Sequence, residues 1–302
     1  MFDIFIEKYS AQGLGAWIEN ERLAKHTTMR VGGPARLLVV PKDKQAFIET
    51  IKLARTLNIL FKIFGKGSNL LVSDAPYDGI IIKTEKALAH YTIESTTIKV
   101  EEGVSDVKLA RLLAKSGLTG LEFLSGVPGT IGGAIFMNAG AYNREMKDVL
   151  KRVEVLDEHN EIKWLSVDEL ALAYRTSIFQ KCPDWHILSC ELQLANEDAD
   201  EIIELMDERK ARRKVSQPLE LPSSGSTFRN PAGQKAWELI ENVGLRGFQS
   251  GGAQVSEKHA NFVVNVDNAT AQDVVDVIDT VKKQVKEKHD IDMHPEVEFF
   301  NW

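Results

Sequence analysis

The stretch PSSGSTFRNP, residues 222–231, crowds three serines and a threonine around Gly225. Gly225 stands directly before Ser226, and a glycine there permits a bend that aims the hydroxyl into a cleft. A serine so placed reads as a nucleophile, a proton donor or a turn cap. A hydrolytic serine needs a histidine base. His26, His90, His159, His186, His259, His289 and His294 are the available bases, and none stands in a triad context. The G-x-S-x-G elbow is also absent. Hydrolysis is therefore disfavoured, and the hydroxyl remains an acid or a cap.

Two glycine-rich stretches carry a different chemistry. FGKGSNLLVSD, residues 64–74, follows an apolar strand. Gly65 and Gly67 let the backbone turn and leave amides free for an anion, with Ser68 and Asn69 as side-chain donors. A ligand-free turn reads equally well. No glycine stands three residues after Gly67, so this is not the Rossmann fingerprint. LSGVPGTIGGAIFMNAGAY, residues 124–142, brings Gly126, Gly129, Gly132, Gly133 and Gly140 together. No Gly-Lys-Ser/Thr follows, so it is not a Walker A loop. Such glycine density lets backbone approach a flat or phosphorylated ligand, or packs a short helix tightly on a sheet. As a pair, the loops point to a dinucleotide held between two α/β modules by backbone amides.

Arg175, in YRTSIF, sits among few other charges and suits bidentate recognition of a carboxylate, or a structural salt bridge. Glu296, in MHPEVEFF, opens a late strand. The basic run RKARRK, residues 209–214, is a solvated helix end or faces a diphosphate, and Lys258 and His259 share that ambiguity.

Several elements must position these groups. Phe47, Ile48, Ile51, Ala54 and Leu57 recur at helical spacing within 44–57, between the apolar strands RLLVVP, ILFKIFG and GIIIKT. TTIKVEEG then alternates as a strand. SDVKLARLLAKSG is a helix with Ser105 as N-cap and Gly117 as stop. KRVEVLDEHNEIKWLS reads as a hairpin turning at His159 and Asn160, and HILSCELQL as another strand. An acidic-to-basic helix breaking at Pro218 marks the clearest domain boundary. Beyond it come QKAWELIENVG, a helix stopped by Gly244, the strand NFVVNV, and a long helix with Val274, Val277, Ile278, Val281 and Val285 on one face.

A length of 302 residues favours two or three domains over a single core. The net charge of −7 argues against broad nucleic-acid binding. Cys182 and Cys190 are the only cysteines, too few for a disulfide scaffold or a cysteine metal site. No secretory signal or membrane-length apolar run is present. These features predict a cytoplasmic protein without metal, nucleic-acid or membrane partners, and a monomer is favoured.

In this order, TTMRVGGPA, GKGSNLLV, SGVPGTIGGAIFMNAGAY, YRTSIF, QPLELPSSGSTFRNP, GGAQVSEKHANFVVN and HPEVEF resemble the UDP-N-acetylenolpyruvoylglucosamine reductase family. They span residues 27 to 299, and their joint order is far more specific than any one of them. The resemblance implies an α+β fold. A two-domain FAD-binding unit of the vanillyl-alcohol-oxidase (PCMH) type, 1–82 and 83–200, would precede a substrate-binding domain, 201–302. It implies non-covalent FAD, in keeping with the absence of histidine and cysteine from 64–74, and NADPH as co-substrate. Flavin contact would fall on Gly65, Lys66, Gly67, Ser68, Asn69 and Leu70. In the second loop it would fall on Gly126, Val127, Pro128, Gly129, Ile131, Gly132, Gly133, Asn138, Gly140 and Ala141. Arg175, Ser226 and Glu296 match the family's catalytic arginine, general acid and glutamate, and Arg213, Asn230 and Lys258 are candidate UDP-sugar contacts. The short span from Tyr174 to Cys190 matches the family's shorter form, without a tyrosine-bearing loop. AGQKAW after Pro231 departs from the family's Gly-His-aromatic pattern. The implied activity is reduction of the enolpyruvyl group of UDP-N-acetylglucosamine enolpyruvate. Another FAD-linked oxidoreductase on the same fold, or a non-catalytic nucleotide-sugar module, are the competing readings.

Overall fold

The computed structural model describes residues 1–302. Two compact units emerge, and both are discontinuous in sequence. The first comprises residues 1–19, 37–65 and 79–210, and the second residues 20–36, 66–78 and 211–302.

In the first unit, helix α1 (Phe2–Ala11) buries Phe5 and Tyr9, whose rings stack at 5.6 Å. The periodic stretch after Asp43 forms helix α2 (Lys44–Thr56), and the Asp43 carboxylate caps it by accepting from Ala46 N at 2.8 Å. Its apolar face packs with Phe5, Leu37, Val39, Ile80 and Ile82. Strand Phe61–Phe64 pairs in parallel with Tyr77–Lys83, within a four-stranded sheet that also contains Gly15–Arg22 and Pro34–Pro41. The expected strands are present; α1 carries Phe2, Phe5, Ile6 and Tyr9 at helical spacing, whereas Gly15–Arg22 is almost wholly exposed and lacks clean alternation.

A second sheet in this unit has five antiparallel strands, ordered Ile162–Ser166, Leu150–Leu156, His186–Gln193, Thr97–Glu101, Tyr91–Glu94. The hairpin turns where the sequence placed it, with Asn160 at φ +65° and Asp157 accepting from the amides of His159 and Glu161. Helix α3 (Asp106–Lys115) and the short helix α4 (Ile131–Phe136) cover this sheet through Leu109, Leu113, Ile131 and Ile135. Ser105 is the N-cap residue of α3, but its side chain does not make the cap bond. Gly117 takes φ +68° just past the helix end, as a left-handed stop requires. Helix α5 (Ala199–Ser216) buries Ile202 and Met206 against the same core.

The second unit holds a four-stranded antiparallel sheet, ordered Ser223–Ser226, Phe262–Asn265, Ala253–Val255, Gln249–Ser250. Helices α6 (Ala236–Asn242) and α7 (Ala271–His289) pack into its core. Val274, Val277, Ile278, Val281 and Val285 are all buried, each contributing roughly 1.5–3 kcal/mol. A capping box of Thr270 and Asp273 starts α7. The final strand is Glu298–Phe300, parallel to Leu70–Val72. Glu296 therefore lies two residues before the strand rather than opening it, because pairing with Leu70 begins only at Glu298.

Candidate active site

Within the first unit, Gly65 lies against the second glycine loop. A Cβ on Gly65 would stand 2.6 Å from Thr130 Oγ1. Thr130 is the N-cap of α4, its hydroxyl accepting from Gly133 N at 3.4 Å. The loop is tied to the chain at 102–104 by Ile131 N to Val104 O, 3.0 Å, and Gly132 N to Glu102 O, 2.9 Å. Gly132 has no room for a side chain, since a Cβ would meet Glu102 Oε2 at 1.9 Å. The Lys83 ammonium donates to Gly65 O.

Glu102 is buried, and burial pushes its carboxyl up to about 7. Lys83 opposes the rise, and Glu85 adds to it. Its Oε1 and the buried Thr84 Oγ1 both lack a hydrogen-bond partner. No sequence signal singled out Glu102; the second of two adjacent acids, between a strand and a glycine, is unremarkable until its neighbours are known.

Of the other second-loop residues, Ile131 is buried in the core and Pro128 is exposed. Asn138 is fully buried at φ +40°, and its side chain is committed to protein. Its Nδ2 donates to Glu145 Oε2 (3.1 Å) and Ala173 O (3.0 Å), and its Oδ1 accepts from Lys147 N (3.1 Å). Gly140 and Ala141 pair with Glu145 and Arg144.

Arg175 belongs to the same unit. It is half-buried at φ +55°, in a tight reversal closed by mutual bonds between Ala173 and Thr176. Its guanidinium donates to Gly140 O at 3.0 Å and lies 5.0 Å from the Tyr174 ring centroid.

Ser226 belongs to the second unit, together with Glu296 and residues 66–70 of the first glycine loop. Gly225 takes φ +76°, and the register against Phe262–Asn265 shifts between Ser223 and Ser226. That bulge breaks the alternation of the strand. Ser224 is buried and donates to Leu70 O at 3.3 Å, whereas Ser226 is half-exposed and its hydroxyl bonds to no protein group, histidine included. The segment behind it is rigidly held. Asn261 accepts from Phe228 N and donates to Phe228 O, at 3.0 and 2.9 Å, and Thr227 Oγ1 accepts from Val263 N. Glu296 N donates to Thr227 O at 2.8 Å, so the chain positions of Ser226 and Glu296 are adjacent. Asn69 Nδ2 donates to Glu296 O, 3.1 Å, which joins the first glycine loop to the same segment. Gly67, at φ +62°, packs where a Cβ would strike His26 O at 2.2 Å.

The candidate sugar-nucleotide contacts all lie in the second unit. Arg213 Nε donates to Gln217, Asn230 Oδ1 accepts from Ala236 N at the start of α6, and Lys258 Nζ donates to Lys214 O.

Residues 35–166 match the family described as an FAD binding domain, and residues 217–300 match the C-terminal domain of UDP-N-acetylenolpyruvoylglucosamine reductase. Over 296 residues the chain is 45% identical to the UDP-N-acetylenolpyruvoylglucosamine reductase of Bacillus licheniformis, covering 98% of each chain. It is 43% identical to that of Bacillus subtilis, covering 97% of each.

The chain belongs to the UDP-N-acetylenolpyruvoylglucosamine reductase family.

The crystal structure of the Thermus caldophilus reductase agrees, with 31% identity and a TM-score of 0.79 over 95% of this chain and 99% of that one. The expected α+β fold, with an FAD-binding portion and a distinct C-terminal portion, is borne out, as is assignment to the FAD-dependent oxidoreductases. A purely nucleotide-sugar-binding module is set aside by the same findings. The residues present fit a flavin. Gly133 is exposed, and a Cβ there would meet only Thr130 Oγ1 at 3.6 Å, so backbone is open to close approach. No helix is long and apolar enough to cross a membrane.

Proposed function

We propose that this protein reduces the enolpyruvyl group of UDP-N-acetylglucosamine enolpyruvate to give UDP-N-acetylmuramate, with NADPH as reductant, in cytoplasmic synthesis of peptidoglycan precursors. Non-covalently bound FAD supplies the hydride relay, from NADPH to C3 of the enolpyruvyl group. Residues 65–70 and 126–141 would hold it through backbone amides and the Ser68 and Asn69 side chains. The division 1–82, 83–200 and 201–302 describes this arrangement as two flavin-binding portions and a substrate portion, in a monomer.

Hydride arriving at C3 leaves negative charge at C2 that spreads into the substrate carboxylate. Arg175 stabilises that charge with its guanidinium, and Glu296, when protonated, donates to the same carboxylate. Ser226 delivers the proton to C2. A serine is a weak acid, but a strongly basic carbon accepts from it when the hydroxyl is already positioned. Arg213, Asn230 and Lys258 contribute to binding the UDP-sugar.

The observation that carries this reading is the contrast within PSSGSTFRNP. Ser224 is tied to Leu70, while Ser226, past the Gly225 bulge, keeps an uncommitted hydroxyl beside the Glu296 segment. The test is anaerobic. The FAD-loaded protein is reduced with NADPH and the enolpyruvyl UDP-sugar is then added. Rapid return of oxidised-flavin absorbance is expected. A flavin that stays reduced would assign the protein another electron acceptor, as in a different FAD-linked oxidoreductase.

A further inference from the structure

Arg175 holds a backbone conformation that side-chain-bearing residues rarely adopt, with φ +55°. Such a residue persists only where its surroundings over-determine it. Three side chains do so here. Asn138 Nδ2 donates to Ala173 O (3.0 Å), the carbonyl that also accepts from Thr176 N (3.0 Å) across the reversal. Gln180 Nε2 donates to Arg175 O at 3.2 Å, with Met137 Sδ 3.7 Å away. Ser177, buried, donates to Phe136 O at 2.6 Å and fastens the segment to the end of α4.

The reversal is thereby built onto the exit of the second glycine loop, and the guanidinium returns to that loop at Gly140 O. A left-handed Arg175 turns its side chain in a direction that an extended residue would not. Its position is thus set by groups that need not touch a substrate themselves.

We infer that Asn138 and Gln180 are positioning residues for Arg175, holding its reversal so that the guanidinium meets the substrate carboxylate already oriented. This rests on the role proposed above for Arg175. Asn138 acts through Ala173 and Gln180 through the Arg175 carbonyl.

The test is a double-mutant cycle of Gln180→Met and Arg175→Met on the FAD-loaded enzyme, with the two half-reactions followed separately. Gln180→Met should slow reoxidation of the reduced flavin by the enolpyruvyl substrate by on the order of 10-fold. Reduction by NADPH should change less than about twofold by the same argument. In the Arg175→Met background, Gln180→Met should have no further effect. Hydrogen exchange at the Thr176 amide, measured without substrate, should quicken in Gln180→Met. An unchanged rate and exchange in Gln180→Met, or equal slowing in both backgrounds, overturns the inference. If Arg175→Met leaves reoxidation intact, the reading of Arg175 fails first and the inference with it. Asn138→Ala should likewise quicken exchange at the Thr176 amide, and Gln180 supplies the answer where that buried substitution prevents folding.

Discussion

The glycines of 65–67 and 126–140 and the glycine of PSSGSTFRNP do different physical work. At Gly65, Gly67, Gly132 and Gly140 a Cβ would stand within 1.9 to 2.6 Å of another protein atom. At Gly225 nothing lies within 4 Å, yet φ is +76°. The first set is constrained by space, with Gly67 constrained by conformation as well, and Gly225 by conformation alone. Glycine density therefore marks close protein packing as readily as ligand approach. Of Gly65, Gly67, Gly132, Gly133 and Gly140, Gly133 is the one whose surroundings stay open. The open region, in contrast, leaves a hydroxyl unengaged, as proton donation to a substrate requires.

The sharpest way to break this contrast is Ser226→Ala. If the open loop serves chemistry, turnover should fall on the order of 10²- to 10⁴-fold while NADPH still reduces the flavin. Thermal stability should hold, since the Ser226 hydroxyl bonds to no protein group and its backbone pairing with Phe262 does not need it. Anaerobic half-reaction kinetics beside a melting curve read both, and a stability loss with intact turnover would reverse the assignment.

Gly67→Ala should do the opposite. The substituent meets a backbone carbonyl, His26 O at 2.2 Å, at a positive φ. A loss of about 3 kcal/mol is expected in denaturant unfolding.

Glu102, filling the space beside Gly132, adds a pH signature to the packed region. Its folded pKa is raised to about 7 from 4.5, so the folded protein binds the extra proton between those values. Stability is fully present below the ordinary value and is lost as pH rises through about 7. Glu102→Gln cannot ionise and should be the more stable protein at pH 8, by on the order of 2–3 kcal/mol. Near the ordinary carboxylate pKa the advantage should shrink. Unfolding of the apoprotein at the two pH values measures it, and a gain independent of pH would mean that packing, not ionisation, sets the cost.

The smallest effect belongs to Gly225→Ala. With open space around it, only the backbone conformation is penalised, by about 1 kcal/mol. A loss as large as that of Gly67→Ala would erase the distinction between the two regions.

Much of the fold was legible because it is local. The 3.6-residue spacing over Lys44–Thr56 and Ala271–His289, and the alternation from Thr97 to Glu101, state which face is buried before any partner is known. Gly117, Asn160 and Gly244 announced chain reversals for the same reason, and all three take positive φ. The ordered motifs from TTMRVGGPA to HPEVEF sufficed for the family and the FAD-linked chemistry. Other features rest on contacts between residues far apart in sequence, which no local pattern encodes. Glu298 pairs with Leu70, Gly132 presses on Glu102, and Ser224 is tied to Leu70 while Ser226 is not. The bracing of Arg175 by Asn138 spans 35 residues to Ala173. Sequence by itself determined which residue types and element periods were present. Tertiary structure alone decided which polar groups were consumed by packing and which were left to do chemistry, because a hydrogen bond or a steric clash exists only once both partners are in place.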